Sequence, residues 1–236
     1  MLPLSDDVPT RRFPVVNIAL IVANFAVWIF YELPQLDVAV NNASFYPCTV
    51  VASCQHPESW ALSWLTAMFL HGSWDHILGN MLFLMIFGKN VEDAFGHLRY
   101  LIFYLVGGLV ATATQTMMTL LAGSAADANV PTLGASGAIA AVLGAYFILY
   151  PRSHVRGLFG LIPAQFSAWF FLGAWFLYQL IEANFGMFSA RANGGGVAFF
   201  AHVGGFVFGL LVTLWLHGSG RASAAAGQVA PEDAPA

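Results

Sequence analysis

Five side chains in this sequence are of types that do chemistry and need a reason to be where they are: Ser136, His202, His71, His76 and Asn80. Ser136 lies in Gly134-Ala135-Ser136-Gly137, and His202 in Ala201-His202-Val203-Gly204-Gly205. The other three fall in the run from His71 to Asn80. A serine hydroxyl is a weak nucleophile until a base takes its proton, and histidine is the usual base. Gly134 and Gly137 at the start of a helix leave such a hydroxyl exposed. The free backbone N–H groups of that helix start are suited to a developing oxyanion. His76 and Asn80 are four residues apart, on one face of a helix, and can add side-chain donors to the same hole. Together these residues have the makings of acyl transfer by a Ser–His pair.

Each residue also has a plainer reading. Ser136 between Ala135 and Gly137 suits close helix packing in a membrane, and His202 suits a hydrogen bond to a neighbouring helix. His71 would serve as a wetted cap, and Asn80 would satisfy a loop carbonyl. Ser73 and Asp75 are N-cap candidates and are assigned no chemistry. What favours a shared site is where these residues lie along the elements that carry them.

Those elements follow from composition. Of 236 residues, 58% are hydrophobic and 8% charged, against about 25% charged in an ordinary soluble domain. The balance excludes a water-soluble fold of this size and predicts an all-α, polytopic membrane protein in contact with the lipid bilayer. A spanning helix needs about 20 apolar residues. Six stretches qualify: Val15–Tyr31, Trp64–Phe87, Tyr100–Leu121, Gly134–Tyr150, Phe166–Ile181 and Val197–Leu216. Lys and Arg favour the cytoplasmic side. With the N-terminus inside, Arg11, Arg12, Lys89, Arg99, Arg152, Arg156 and Arg221 all lie inside and only Arg191 lies outside. Both termini are therefore expected in the cytoplasm. Outside loops are expected at Glu32–Ser63, near Ala122–Leu133 and at Glu182–Gly196. Spans two, four and six then run from outside to inside, and their polar groups all sit near the outer ends. Intramembrane polar residues are costly, and a common depth is what one site requires.

Two ridges of small residues, Ser136/Ala140/Gly144 and Ala201/Gly205/Gly209, predict that spans four and six touch through their backbones. That contact would bring His202 to Ser136. Residues 1–13 read as a cytoplasmic segment, 14–217 as the six-span domain, and 218–236 as a disordered cytoplasmic tail rich in Ala, Gly and Pro. Arg11-Arg12 reads as a cytoplasmic anchor of span one rather than a cleaved signal. The cysteines, Cys48 and Cys54, fall in one outside loop and are candidates for a disulfide if that compartment is oxidising. With net charge −4 and no basic cluster, nucleic acid is not expected as a partner. His71, His76 and His202 are enough for a zinc site, but there is no HExxH, and Ser136 would go unexplained; no metal or cofactor is expected. A transporter would carry polar residues through the whole bilayer, whereas these cluster at one end.

The motifs resemble those of the rhomboid intramembrane serine proteases over about Trp64 to Leu216. The glycine-x-serine-glycine motif is Gly134 to Gly137, and the span-six motif is Ala201 to Gly205 followed by Gly209. The span-two motif is His71, His76 and Asn80, and a glycine-glutamate-glycine pattern is Gly88, Glu92 and Gly96. The resemblance implies a bacterial-type six-span bundle in the inner or plasma membrane, with Ser136 as nucleophile and His202 as base. It also implies an oxyanion hole of His76, Asn80 and the Ser136 backbone N–H. His71 would support the site, and Gly134 and Gly137 would frame it. Single-span membrane proteins are the implied substrates, cut within or beside their helix by water reaching the dyad from outside. An inactive client-binding relative is the alternative; such relatives typically lose the serine or the histidine, and both are present. Two departures stand out. Many members carry a Trp-Arg pair in the first outer loop, and Glu32–Ser63 has no Arg. Many place an aromatic four residues after the nucleophile, against the base, and here that residue is Ala140.

Overall fold

The computed structural model describes residues 2–51, 60–160, 162–188 and 198–219. Ten helices and a small sheet are described. The helices are α1 (Val15–Val27), α2 (Leu36–Ala43), α3 (Trp60–Thr66), α4 (Trp74–Phe83), α5 (Lys89–Phe95), α6 (His97–Ala122), α7 (Ala125–Ala128), α8 (Ser136–Leu149), α9 (Ala168–Phe188) and α10 (Phe199–Gly218). Among the described residues, three helical stretches are long and apolar enough to cross a membrane: Val15–Glu32, His97–Ala122 and Phe199–Gly218. The first is α1 continued by a π-helical turn over Trp28–Glu32. The chain is a helical membrane protein.

α8 is the axis of the bundle. It is apolar on every side, as a helix enclosed by other helices must be, and every residue from Gly137 to Tyr146 is buried. α10, α6 and the α4–α5 unit pack around it. The contact with α10 is made through backbone. A Cβ at Gly205 would overlap the Gly137 carbonyl oxygen, one at Gly209 the Ala141 carbonyl, and one at Gly144 the Phe206 carbonyl. The α10 side is the expected Gly205/Gly209 ridge; on α8 the contact is made by Gly144 and Ala140 of the expected ridge together with the Gly137 and Ala141 carbonyls beside it.

Span two departs from expectation. The stretch from Trp64 is not the start of a long helix. α3 ends at Thr66, a 3-10 turn covers Ala67–Phe69, and the helix proper begins at Trp74. Ser73 caps it, its hydroxyl accepting from the His76 N–H at 3.2 Å, which satisfies one of the unpaired donors of a helix start. From there α4, a π-helical turn over Leu84–Gly88 and α5 follow without interruption to Phe95, beyond the expected end at Phe87. Ser73, an N-cap candidate from sequence, marks the true start of the helix, whereas Trp64–Leu70 is as apolar as the helix behind it and hydropathy does not separate the two. Consequently His71 lies in the loop before α4 rather than on the helix.

A second correction concerns the all-α expectation. β1 (Leu2–Asp6), β2 (His154–Phe159) and β3 (Ile162–Ser167) form an antiparallel sheet in that order. Leu2 pairs with Leu158 and Asp6 with Val155; His154 pairs with Ser167. The sheet is tied to the bundle through Asp6. Its carboxylate meets Lys89 Nζ at 2.9 Å, accepts from Tyr146 Oη at 2.8 Å, and also accepts from the Asn90 amide. The segment read as a plain polar N-terminus is thus in part an edge strand.

Glu182–Phe188, expected in an outer loop, continues α9. Residues 189–197 and the expected tail from residue 220 onward lie outside the described residues. Cys54 does too; Cys48 is buried and is not a free thiol.

The glycine-glutamate-glycine pattern is a junction between helices. The Glu92 carboxylate accepts from the backbone N–H groups of Val16 (2.9 Å) and Asn17 (2.7 Å), the unpaired donors at the start of α1. A Cβ at Gly88 would overlap Asn17, whose amide donates to the Leu84 carbonyl at 3.0 Å and whose oxygen accepts from Tyr100 Oη at 2.7 Å.

Candidate active site

Ser136 is the first residue of α8 and His202 lies in the first turn of α10. The backbone contact between these helices sets their side chains against each other: His202 Nε2 is 2.8 Å from Ser136 Oγ. His202 is 7% exposed, which keeps the pair from being exchanged for water contacts. The other ring nitrogen fixes the tautomer. His202 Nδ1 is 2.7 Å from Oε1 of Gln179 on α9. An amide oxygen only accepts, so with Oε1 toward the ring Nδ1 carries the proton and Nε2 offers its lone pair to the serine hydroxyl. That is the arrangement a general base needs.

The loop leading to Ser136 is set by three backbone bonds. Phe45 and Thr132 exchange N–H···O bonds at 3.1 and 2.7 Å, and the Gly134 N–H donates to the Ala67 carbonyl at 2.8 Å. The segment after α2, in the stretch without the Trp-Arg pair, is joined to the loop leading to Ser136 in this way. Gly134 has φ +120°, a conformation that side-chain-bearing residues avoid. The same position leaves room for His76. A Cβ there would stand 2.8 Å from His76 Nε2 and 3.7 Å from Ser136 Oγ. His76 Nε2 and the serine hydroxyl therefore flank one small space above Gly134.

His76 is half-buried, on the first turn of α4. Its Nδ1 accepts from the Gly72 N–H at 3.5 Å, so the proton sits on Nε2, the nitrogen that faces Gly134 and Ser136. Asn80, one turn further along α4, is buried, and its amide Nδ2 is 3.0 Å from His71 Nε2. His71 is wholly buried, with its ring 5.0 Å from that of His76. Its backbone N–H donates to Glu32 Oε1 at 2.6 Å. His71 thus touches both proposed donors, while Glu32 at the end of the first helix fixes its loop. A cavity beside Ser136 is lined by small and apolar groups, among them Met68, Ala111, Thr112, Gly137 and Ala201.

The arrangement suits attack by Ser136 Oγ on a carbonyl carbon, with His202 receiving the proton and His76 and the α8 N-terminus facing the oxygen. Among the described residues no group of three His, Cys, Asp or Glu side chains is disposed to hold a metal ion, and both ring nitrogens of His202 are engaged as described.

Two contacts went unremarked in the sequence. Gln179 and Trp175 lie one turn apart on α9, and the Trp175 ring is 5.8 Å from the His202 ring. An aromatic against the base therefore comes from α9, not from position 140, where Ala140 is fully buried. Gln179 was findable. It is a polar residue near the end of the expected apolar span Phe166–Ile181, though mid-way along α9 itself, and it carries the same signal as Asn80. Glu32, expected at the start of a loop, ends the first helical stretch and is a buried polar residue of the same kind.

Comparison with known proteins agrees with the architecture. The Rhomboid domain model matches residues 57–219. The chain is 27% identical over 213 residues to Rhomboid-related protein 2 of Mus musculus, covering 84% of this chain and 63% of that protein. It is 25% identical over 193 residues to Rhomboid protein 1, mitochondrial, of Saccharomyces cerevisiae, covering 82% and 51%. It is 31% identical over 147 residues to Rhomboid-like protease 5 of Toxoplasma gondii, covering 61% and 15%. The chain thus spans less than two thirds of the length of these relatives. A domain model covering well over half of the chain, on helices arranged as described, makes this protein a member of the rhomboid family.

Proposed function

We propose that this chain is an active intramembrane serine endopeptidase that cuts single-span membrane proteins within or beside their helix. The observation that carries the reading is the 2.8 Å contact between His202 Nε2 and Ser136 Oγ. In this reading Ser136 attacks the scissile carbonyl as His202 takes its proton. The oxyanion forms beside His76 Nε2–H, the Ser136 backbone N–H and, after a small rotation of its amide, Asn80. His202 then returns the proton to the leaving amine, and a water activated by the same base releases the acyl group.

The six-span topology with both termini in the cytoplasm belongs to the same proposal, supported by the seven-to-one division of Lys and Arg. So does placement in a bacterial inner or plasma membrane with the dyad open to the outside. For the activity, the name of one relative, Rhomboid-like protease 5, supports the reading as a protease. The test is incubation of the purified protein in proteoliposomes with a panel of single-span substrates, beside Ser136→Ala. Cleavage by the wild type alone supports the reading; equal cleavage by both, or none by either across the panel, contradicts it.

A further inference from the structure

We propose that Gln179 is a positioning residue for the base, holding the His202 imidazole at Nδ1 with its amide oxygen so that Nε2 is left to accept the serine proton. The inference rests on the reading of Ser136 and His202 as the catalytic pair.

Three observations carry it. Gln179 is 4% exposed, in the middle of a helix whose neighbouring residues are apolar. A buried polar group there needs a partner, and an unmet amide is costly in a membrane. Its partner is His202 Nδ1 at 2.7 Å, short for a hydrogen bond between neutral groups. Trp175, one turn earlier on the same face, lies against the same imidazole. The base is thus held from α9 on its edge and on its face, with Phe199 of its own helix α10 edge-on to the ring at 6.5 Å.

The amide has two orientations, and only one is productive. With Oε1 toward His202, Nδ1 carries the proton and Nε2 accepts from Ser136. With the amide turned, its N–H would donate to Nδ1, Nε2 would carry the proton, and the serine hydroxyl could only accept. A carboxylate has no donor and enforces the first state, whereas an apolar residue leaves both tautomers free. With Oε1 toward the ring, as it lies here, Gln179 does for this histidine what a carboxylate or amide third member does in other serine and cysteine hydrolases.

The test uses the full-length protein in detergent, a fluorophosphonate probe, and the variants Gln179→Leu and Gln179→Glu. Labelling rates are read beside melting temperature, and kcat and KM are measured on a cleaved substrate. Gln179→Leu is expected to lower the labelling rate and kcat about 10- to 100-fold, as loss of a hydrogen bond to a group that becomes charged, with KM little changed. Gln179→Glu is expected to restore labelling to near the wild-type rate. Imidazole 15N spectra of the wild type should report the Nδ1–H tautomer for His202, and Gln179→Leu should report a mixture. A merely structural Gln179 would lower the melting temperature of both variants and leave kcat of the folded protein and the tautomer unchanged, which overturns the inference. If Gln179→Leu does not fold, Gln179→Glu and the wild-type spectrum decide: an Nε2–H tautomer, or a Glu variant labelled no better than Ser136→Ala, overturns it. Failure of the wild type itself to be labelled marks instead the failure of the Ser–His reading, and the inference falls with it.

Discussion

Gly205 of α10 lies so close to Gly137 of α8 that a Cβ at Gly205 would occupy the space of the Gly137 carbonyl oxygen. The obstacle is backbone, which cannot rotate aside as a side chain can. His202 is three residues earlier on the same helix, so the contact that packs the bundle also sets the distance from His202 to Ser136. Gly205→Val should lower stability by about 1–3 kcal/mol or more and reduce fluorophosphonate labelling in the fraction that stays folded. Gly79→Ala is the matched control. A Cβ at Gly79 meets nothing within 4 Å, and a mid-helix Gly→Ala change typically stabilises by about 0.5–1 kcal/mol. Thermal unfolding of the two variants in the same detergent checks both statements.

His76 and Asn80 should behave as donors to a transition state rather than as contacts to bound substrate. Loss of one oxyanion donor typically costs about 10²–10³ in kcat. His76→Ala should fall in that range, because its Nε2–H already faces the space above Gly134. Asn80→Ala should cost no more than this, since its amide is engaged with His71 Nε2 and must turn to reach an oxyanion. Single-turnover cleavage and thermal stability on one preparation separate the cases. A normal kcat in folded Asn80→Ala, with a lower melting temperature, would make Asn80 a support for His71 alone.

How much of this was legible in the sequence depended on whether the signal was local. Ser136, His202, His76 and Asn80 stood out because a polar group in an apolar helix must be explained, and the small-residue ridges told which helices would meet. The helix start at Trp74 was marked by the N-cap candidate Ser73. What did not stand out is that Trp64–Leu70 is not part of that helix, because this stretch is as apolar as the helix that follows. β1 was hidden for another reason: its partner strand lies some 150 residues away, and Leu2–Asp6 has no alternation of its own. Gln179 obeyed the rule that found Asn80 but stood outside any motif, so nothing marked it as more than a stray amide.

Glu92 should be a stability residue and not a catalytic one. It caps the start of α1 through Val16 and Asn17, at the far end of the α4–α5 unit from His76. Glu92→Ala leaves two backbone donors without their acceptor and should cost about 2–3 kcal/mol. Labelling per folded molecule should stay within about twofold of wild type, a range that small changes in packing produce. Parallel melting curves and probe-labelling rates test this, and a selective loss of labelling would assign Glu92 to the site.

The central claim is that Ser136 is a nucleophile made reactive by His202, and its most direct test is covalent labelling with a fluorophosphonate followed by peptide mapping. The account predicts modification of the wild type at Ser136 Oγ. It predicts none in Ser136→Ala, and a rate lower by at least about 10²-fold in His202→Ala, the usual contribution of a general base, with both variants folded. Labelling of His202→Ala at the wild-type rate, or a wild type that is folded and unmodified, would contradict it.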